Sequence, residues 1–189
     1  MKLVVGLGNH GKEYELTRHN LGFIVLDNFT KRIDIKLGKR KFNAYYNIHE
    51  DIIFVKPYSY MNLSGQVVKK FIDFYDIAHI NLIVIHDDVD IEFGRLKIKF
   101  GGGSAGHKGI ISIINEIDSS DFIRLRVGIA KPQNNAVIKH VLEPFNKIEL
   151  KLLNKDIIDR SINALNLILT KGYEKAANEI NGCVTNNAI

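Results

Sequence analysis

Five short apolar runs, alternating with stretches of helical periodicity, constrain the fold of this chain more than any other feature. They are Leu3–Leu7, Ile52–Val55, Leu82–Ile85, Leu96–Phe100 and Ile123–Ile129, and runs of this kind read as strands of a largely buried sheet. Helical patterns fill most of the intervals. Phe23, Leu26 and Phe29 fall at helical spacing after Asn20. Val67, Phe71 and Phe74 or Tyr75 do so after Asn62. Ile110, Ile113 or Ile114, and Ile117 follow the glycine run Gly101–Gly103. This alternation predicts an α/β domain, a twisted mixed sheet flanked by helices. The C-terminal third reads as one long helix from about Lys147 to Thr170, with Ile148, Leu152, Ile158, Leu165 and Leu169 roughly on one stripe, then a short helix after Gly172. The chain has 189 residues and no repeat, linker or low-complexity segment. Residues 1–189 are therefore expected to form a single compact domain.

Composition narrows the class. With 46% hydrophobic and 25% charged residues, the chain reads as a soluble globular protein. It has neither a basic leader followed by an apolar run nor a span long enough for a bilayer, so a cytoplasmic home is expected and no membrane partner. The single cysteine, Cys183, excludes an internal disulfide framework and a cysteine metal cluster. The formal net charge of +5 permits nucleic acid as a partner without requiring it.

Where the cations sit says more. Side chains alternate across a strand, so Arg95, Lys97 and Lys99 share one face, with Leu96, Ile98 and Phe100 on the other; the same rule groups Arg124 with Arg126. Such rows can track phosphates, or they can be the solvated, lysine-protected face of a sheet edge.

The residues best suited to chemistry cluster at strand ends. The stretch Gly6–Phe23, GLGNHGKEYELTRHNLGF, places Asn9, Arg18, His19 and Asn20 beside a glycine turn leaving the first strand. Gly6, Gly8 and Gly11 match G-x-G-x-x-G. However, that fingerprint needs a helix opening at its third glycine and an acidic residue ending the next strand, and neither follows here. His86-Asp87-Asp88 closes another strand, and Asp87 or Asp90 could hold a divalent cation or orient a histidine. An Asp–His pair makes a general base for water, and His19 is the candidate partner. His10, His49, His79 and His140 read as structural or surface residues. In KPYSYMNLSG, Asn62 or Ser64 is the default N-cap of the helix that follows, or the Asn62 amide is aimed at an ester or a water.

Taken in order, GLGNHGKEYELTRHNLGF, KPYSYMNLSG, HDDVD, GGGSAGHKGI and FIRLRVGI resemble the signature blocks of bacterial-type peptidyl-tRNA hydrolase, over nearly the whole chain. The resemblance implies a monomeric α/β enzyme that cleaves the ester between peptide and tRNA without metal or organic cofactor. It implies His19 as the base and Asp87 as its orienting partner. Asn9 and Asn62 would position the water and the carbonyl. Tyr14 and Met61 would shape the substrate channel, Gly101–Gly109 would line it, and His107 would support that wall. Lys97, Lys99 and Arg126 would hold tRNA phosphates. One departure is Lys108, at a place where the family usually has an Asn that contacts the substrate end or the catalytic water. Two other classes remain: an RNA-binding module without turnover, for which Lys108 is the one favourable feature, and a nucleotide-dependent oxidoreductase, which a bound nicotinamide would reveal.

Overall fold

The computed structural model describes residues 1–133 and 136–182; Cys183 lies outside them. A seven-stranded sheet runs in the order β2-β3-β4-β1-β5-β7-β6. Its strands are β1 (Lys2–Gly6), β2 (Lys39–Lys41), β3 (Ala44–His49), β4 (Ile52–Pro57), β5 (Leu82–Asp88), β6 (Leu96–Phe100) and β7 (Ile123–Gly128). The four central strands, β4, β1, β5 and β7, are parallel, while β2, β3 and β6 complete the sheet antiparallel. The predicted mixed α/β sheet is what forms. Because the central strands share one direction, the loops leaving β1, β4 and β5 emerge at the same edge, where open α/β sheets build their sites.

Helices cover both faces: α1 (Leu21–Arg32), α2 (Ser64–Tyr75), α3 (Lys108–Ile117), α4 (Val137–Leu142), α5 (Lys147–Leu152), α6 (Ile158–Lys171) and α7 (Tyr173–Gly182). Strand parity sorts the core into two layers. Leu3, Val5, Leu82 and Val84 pack with Val67, Phe71, Ile110 and Ile113 of α2 and α3. Val4, Ile83, Ile85 and Leu125 pack with Leu26 and Phe29 of α1 and Ile162 and Leu165 of α6. Gly22 sets how close α1 comes, since a Cβ there would lie 2.3 Å from the Ile85 carbonyl oxygen. Any side chain would push the helix off β1 and β5.

Two elements depart from the sequence expectation. The β2–β3 hairpin carries no strand signal, because Lys39-Arg40-Lys41 offers no apolar alternation. Its two-residue turn, Phe42 and Asn43, has φ of 51° and 58°, as the tight turns that match strand twist require. The long C-terminal helix is interrupted at Leu153–Ile157 by a π-helical turn joining α5 to α6. The wider turn shifts which side chains face inward. Leu153, Ile157 and Ile158 are buried, while Ile148 is 73% exposed and Leu152 45%. Within α2, Phe71 is buried and Phe74 is exposed, so Tyr75 is the residue that packs on the core.

Candidate active site

Three loops are stitched together at the C-terminal edge of the central strands. Asn9, just past β1, exchanges two hydrogen bonds with Asn20: its N–H donates to Asn20 Oδ1 at 2.7 Å, and Asn20 Nδ2 donates to its carbonyl at 2.9 Å. The Asn9 carboxamide oxygen accepts the Met61 N–H at 2.8 Å. That bond orients the Asn9 amide, leaving its NH₂ group as the free donor. Met61-Asn62-Leu63 form a 3₁₀ turn running directly into α2. Neither Asn62 nor Ser64 caps that helix, contrary to the default expectation, because its Gly65 N–H is taken by Ser112 Oγ at 2.9 Å. Asn62 therefore keeps its amide. Met61 packs where α3 begins, and Gly109 makes room, since a Cβ there would lie 2.5 Å from the Met61 sulfur.

A second 3₁₀ turn, Arg18–Asn20, sets His19 over the end of β5. His19 Nδ1 lies 3.0 Å from both Asp87 carboxylate oxygens, and the pair is buried. His107 approaches the same carboxylate, with Nε2 at 3.0 Å from Oδ1.

The tautomers follow from bond counting. His107 is the N-cap of α3, and its Nδ1 accepts the Gly109 and Ile110 N–H groups. A nitrogen that accepts carries no proton, so the His107 proton is on Nε2 and is donated to Asp87. An ionised Asp87 only accepts, so His19 donates to it from Nδ1 and keeps the lone pair on Nε2. Burial alone pushes the Asp87 carboxyl up, but His19 and His107, through charge and hydrogen bonds, outweigh it and hold the group well below the usual carboxylate range. The carboxylate stays charged.

His86 lies behind this pair. Its ring is 4.7 Å from that of His107, its Nδ1 donates to the Asp87 carbonyl at 2.7 Å, and its Nε2 is buried without a partner. Burial first, then the neighbouring His107, hold it well below the usual histidine range. It is neutral.

His19, Asp87 and His107 offer three ligand atoms within 4.8 Å of one another, as a two-histidine, one-carboxylate metal site would. Asp90 is not in the cluster. The donor chemistry fits a metal poorly, because binding at His107 Nε2 would move the proton to Nδ1, against two backbone N–H groups that already point there. The cluster is built for protons.

These groups open into a cavity of about 550 Å³. Asn9, Tyr14, His19, Met61, Asn62, Asp87, His107 and Lys108 all line it, so the structure brings together all eight residues expected around the reacting bond. The Lys108 side chain makes no hydrogen bond or ion pair among the described residues. Ser104, Ala105 and Gly106, within the expected Gly101–Gly109 lining, also border the cavity, whereas sequence reasoning missed Asp88, Val89 and the apolar wall Val137, Ile138, Val141 and Leu142 on α4. The signal for that wall was present: apolar pairs one helical turn apart in a segment too short to bury both.

Lys97, Lys99 and Arg126 lie outside the cavity, on the edge strand β6 and its neighbour β7, where Lys97 pairs in register with Arg126 and Lys99 with Arg124. Arg126 is bonded through Nε to Asp88 at 2.7 Å. Arg124 leaves the basic face: it is buried, and its guanidinium donates to the Gly102 and Gly103 carbonyls. That clamp fixes the glycine loop leading to His107.

The chain matches the family model described as peptidyl-tRNA hydrolase over residues 3–188. A peptidyl-tRNA hydrolase of Clostridium novyi (strain NT) is 42% identical over 186 residues, covering 96% of this chain and 98% of that protein. One of Bacillus subtilis (strain 168) is 39% identical, covering 97% and 100%. Among solved structures, the crystal structure of the Acinetobacter baumannii peptidyl-tRNA hydrolase superposes with a TM-score of 0.87 at 36% identity, covering 96% of this chain and 95% of that one. The chain belongs to the peptidyl-tRNA hydrolase family.

Proposed function

We propose that this chain, acting as a single-domain monomer in the cytoplasm, cleaves the ester between peptide and tRNA with a water activated by His19. One observation carries the reading: the His19–Asp87–His107 relay, its His19–Asp87 pair buried, leaves the His19 Nε2 lone pair at a cavity large enough for an aminoacyl group. His19 Nε2 takes a proton from water, the oxygen attacks the ester carbonyl, and the imidazolium returns the proton to the departing ribose oxygen. Asp87 stabilises the imidazolium and holds the tautomer. The Asn9 NH₂ and the Asn62 amide supply donors to the water and the carbonyl oxygen. An activated ester needs no more than a placed base and polarising amides.

The cations supply the RNA contact. Lys97, Lys99 and Arg126 face one side of β6 and β7, where they can neutralise phosphates. Among the described residues no helix is long and apolar enough to cross a membrane.

Hydrolysis of an N-acylated aminoacyl-tRNA by the wild type and by His19→Ala tests the reading. Loss of a general base is worth about 10²–10⁴-fold in kcat, with tRNA binding retained. Wild-type kcat in the variant would remove the mechanism. Binding without turnover by the wild type would establish the RNA-binding module instead.

A further inference from the structure

We infer that Arg18 is a positioning residue that sets the distance between the general base and the apolar wall of the cavity, and thereby selects the acyl side chain. The inference rests on the hydrolytic reading of the same site. Arg18 precedes His19 in the 3₁₀ turn but points away from it, into the end of α4. Its Nη1 donates to the carbonyls of His140, Glu143 and Pro144 at 3.2, 3.2 and 3.3 Å. Its Nη2 meets Glu149 at 2.8 Å, and its backbone N–H bonds the Glu143 carbonyl at 3.2 Å. The side chain is 8% exposed, so these are its partners rather than solvent.

A tether of this kind matters because α4 is short and mostly exposed, anchored otherwise by Val141 and by His140, whose Nε2 lies 3.2 Å from the Ile129 carbonyl. The helix has six residues, no side-chain N-cap, and Val141 as its one buried residue; helices this short do not persist on their own. Ile138 is 65% exposed and Leu142 41%, although both line the cavity. A guanidinium at the last carbonyls satisfies acceptors that the helix cannot and complements its dipole. The neighbouring backbone joins in: Phe145 N–H bonds the Leu16 carbonyl at 3.0 Å, and Thr17 bridges to Pro144. The residues just before the base thus fix where the wall stands. An acyl side chain resting on Val137, Ile138, Val141 and Leu142 is placed relative to His19 through Arg18.

The test uses full-length protein with N-acetylglycyl-tRNA and N-acetylleucyl-tRNA. Arg18→Lys keeps a cation at the helix end but loses the fork. It should raise KM for the leucyl substrate about tenfold, the worth of roughly one charged hydrogen bond. On the glycyl substrate, which does not reach the wall, KM and kcat should stay within about twofold. Glu149→Gln retains the three carbonyl contacts and should shift the leucyl KM in the same direction by about threefold; it answers the question if Arg18→Lys does not fold. Equal losses on both substrates, or no change in either variant, would overturn the inference. Wild-type protein inactive on both would instead overturn hydrolysis itself.

Discussion

His107 and Asp87 share a hydrogen bond of 3.0 Å whose direction is fixed from the far side of the ring, where the first N–H groups of α3 occupy Nδ1. One side chain therefore caps a helix and holds the carboxylate that orients the base. The two roles separate by substitution. His107→Asn restores a good N-cap but is too short to reach Asp87, so stability should change by less than about 1 kcal/mol while kcat falls about tenfold. His107→Ala should lose both. Denaturant melts alongside single-turnover rates check this, and an unchanged kcat in the Asn variant would mean that the hydrogen bond to Asp87 is idle.

His86 ties stability to pH. Its folded-state pKa lies well below the ordinary histidine value, so in mild acid the unfolded chain binds a proton that the folded chain refuses. The contribution is complete above about pH 6.5 and is lost below it, by up to about 1.4 kcal/mol per pH unit for one proton. His86→Asn keeps a donor for the Asp87 carbonyl and removes the titration. Urea midpoints at pH 7, 6 and 5 should fall less steeply in that variant than in the wild type. Parallel slopes would show that His86 takes up its proton without unfolding.

Replacing Lys97, Lys99 and Arg126 together by Ala should raise KM for tRNA substrates more than it lowers kcat. Each cation removed from a phosphate should flatten the salt dependence of binding by up to about one unit of log–log slope. Arg126 should contribute least, because Asp88 already occupies it. A triple variant with the wild-type slope would mark the strand face as solvated edge only.

Lys108 lines the cavity and is exposed. An ammonium only donates, whereas an amide also accepts, so a donor role toward substrate survives the exchange. Lys108→Asn should change kcat/KM by less than about tenfold. A gain of a hundredfold would show that the natural lysine impairs turnover.

The sequence is most readable where one physical rule acts alone. Strand runs such as Leu82–Ile85 are buried on both faces and read as continuous apolar segments. His19 and Asp87 can be paired because the loop that leaves β1 and the end of β5 meet on one edge. The β2 strand is unreadable because Lys39-Arg40-Lys41 is held by its turn and its neighbour, and the π turn because one wide turn changes which residues face the core without altering local composition. Arg124 reads as a companion of Arg126 by parity. Only the fold reveals that the loop from Gly101 closes over it. The second partner of Asp87 is hidden for a similar reason: the role of His107 depends on which nitrogen α3 leaves free.

Asp87 and Asp88 are consecutive residues near the end of one strand, and alternation sends one toward His19 and the other toward Arg126. Their division of labour depends on the pairing of β5 with β7, which sets Asp88 opposite Gly128. Loss or gain of a single residue within β5 would exchange the two carboxylates between the faces of the sheet, leaving the base without its partner. Evolutionary change in length is accordingly expected in the loops around this strand and not inside it, whatever latitude its apolar positions have for substitution.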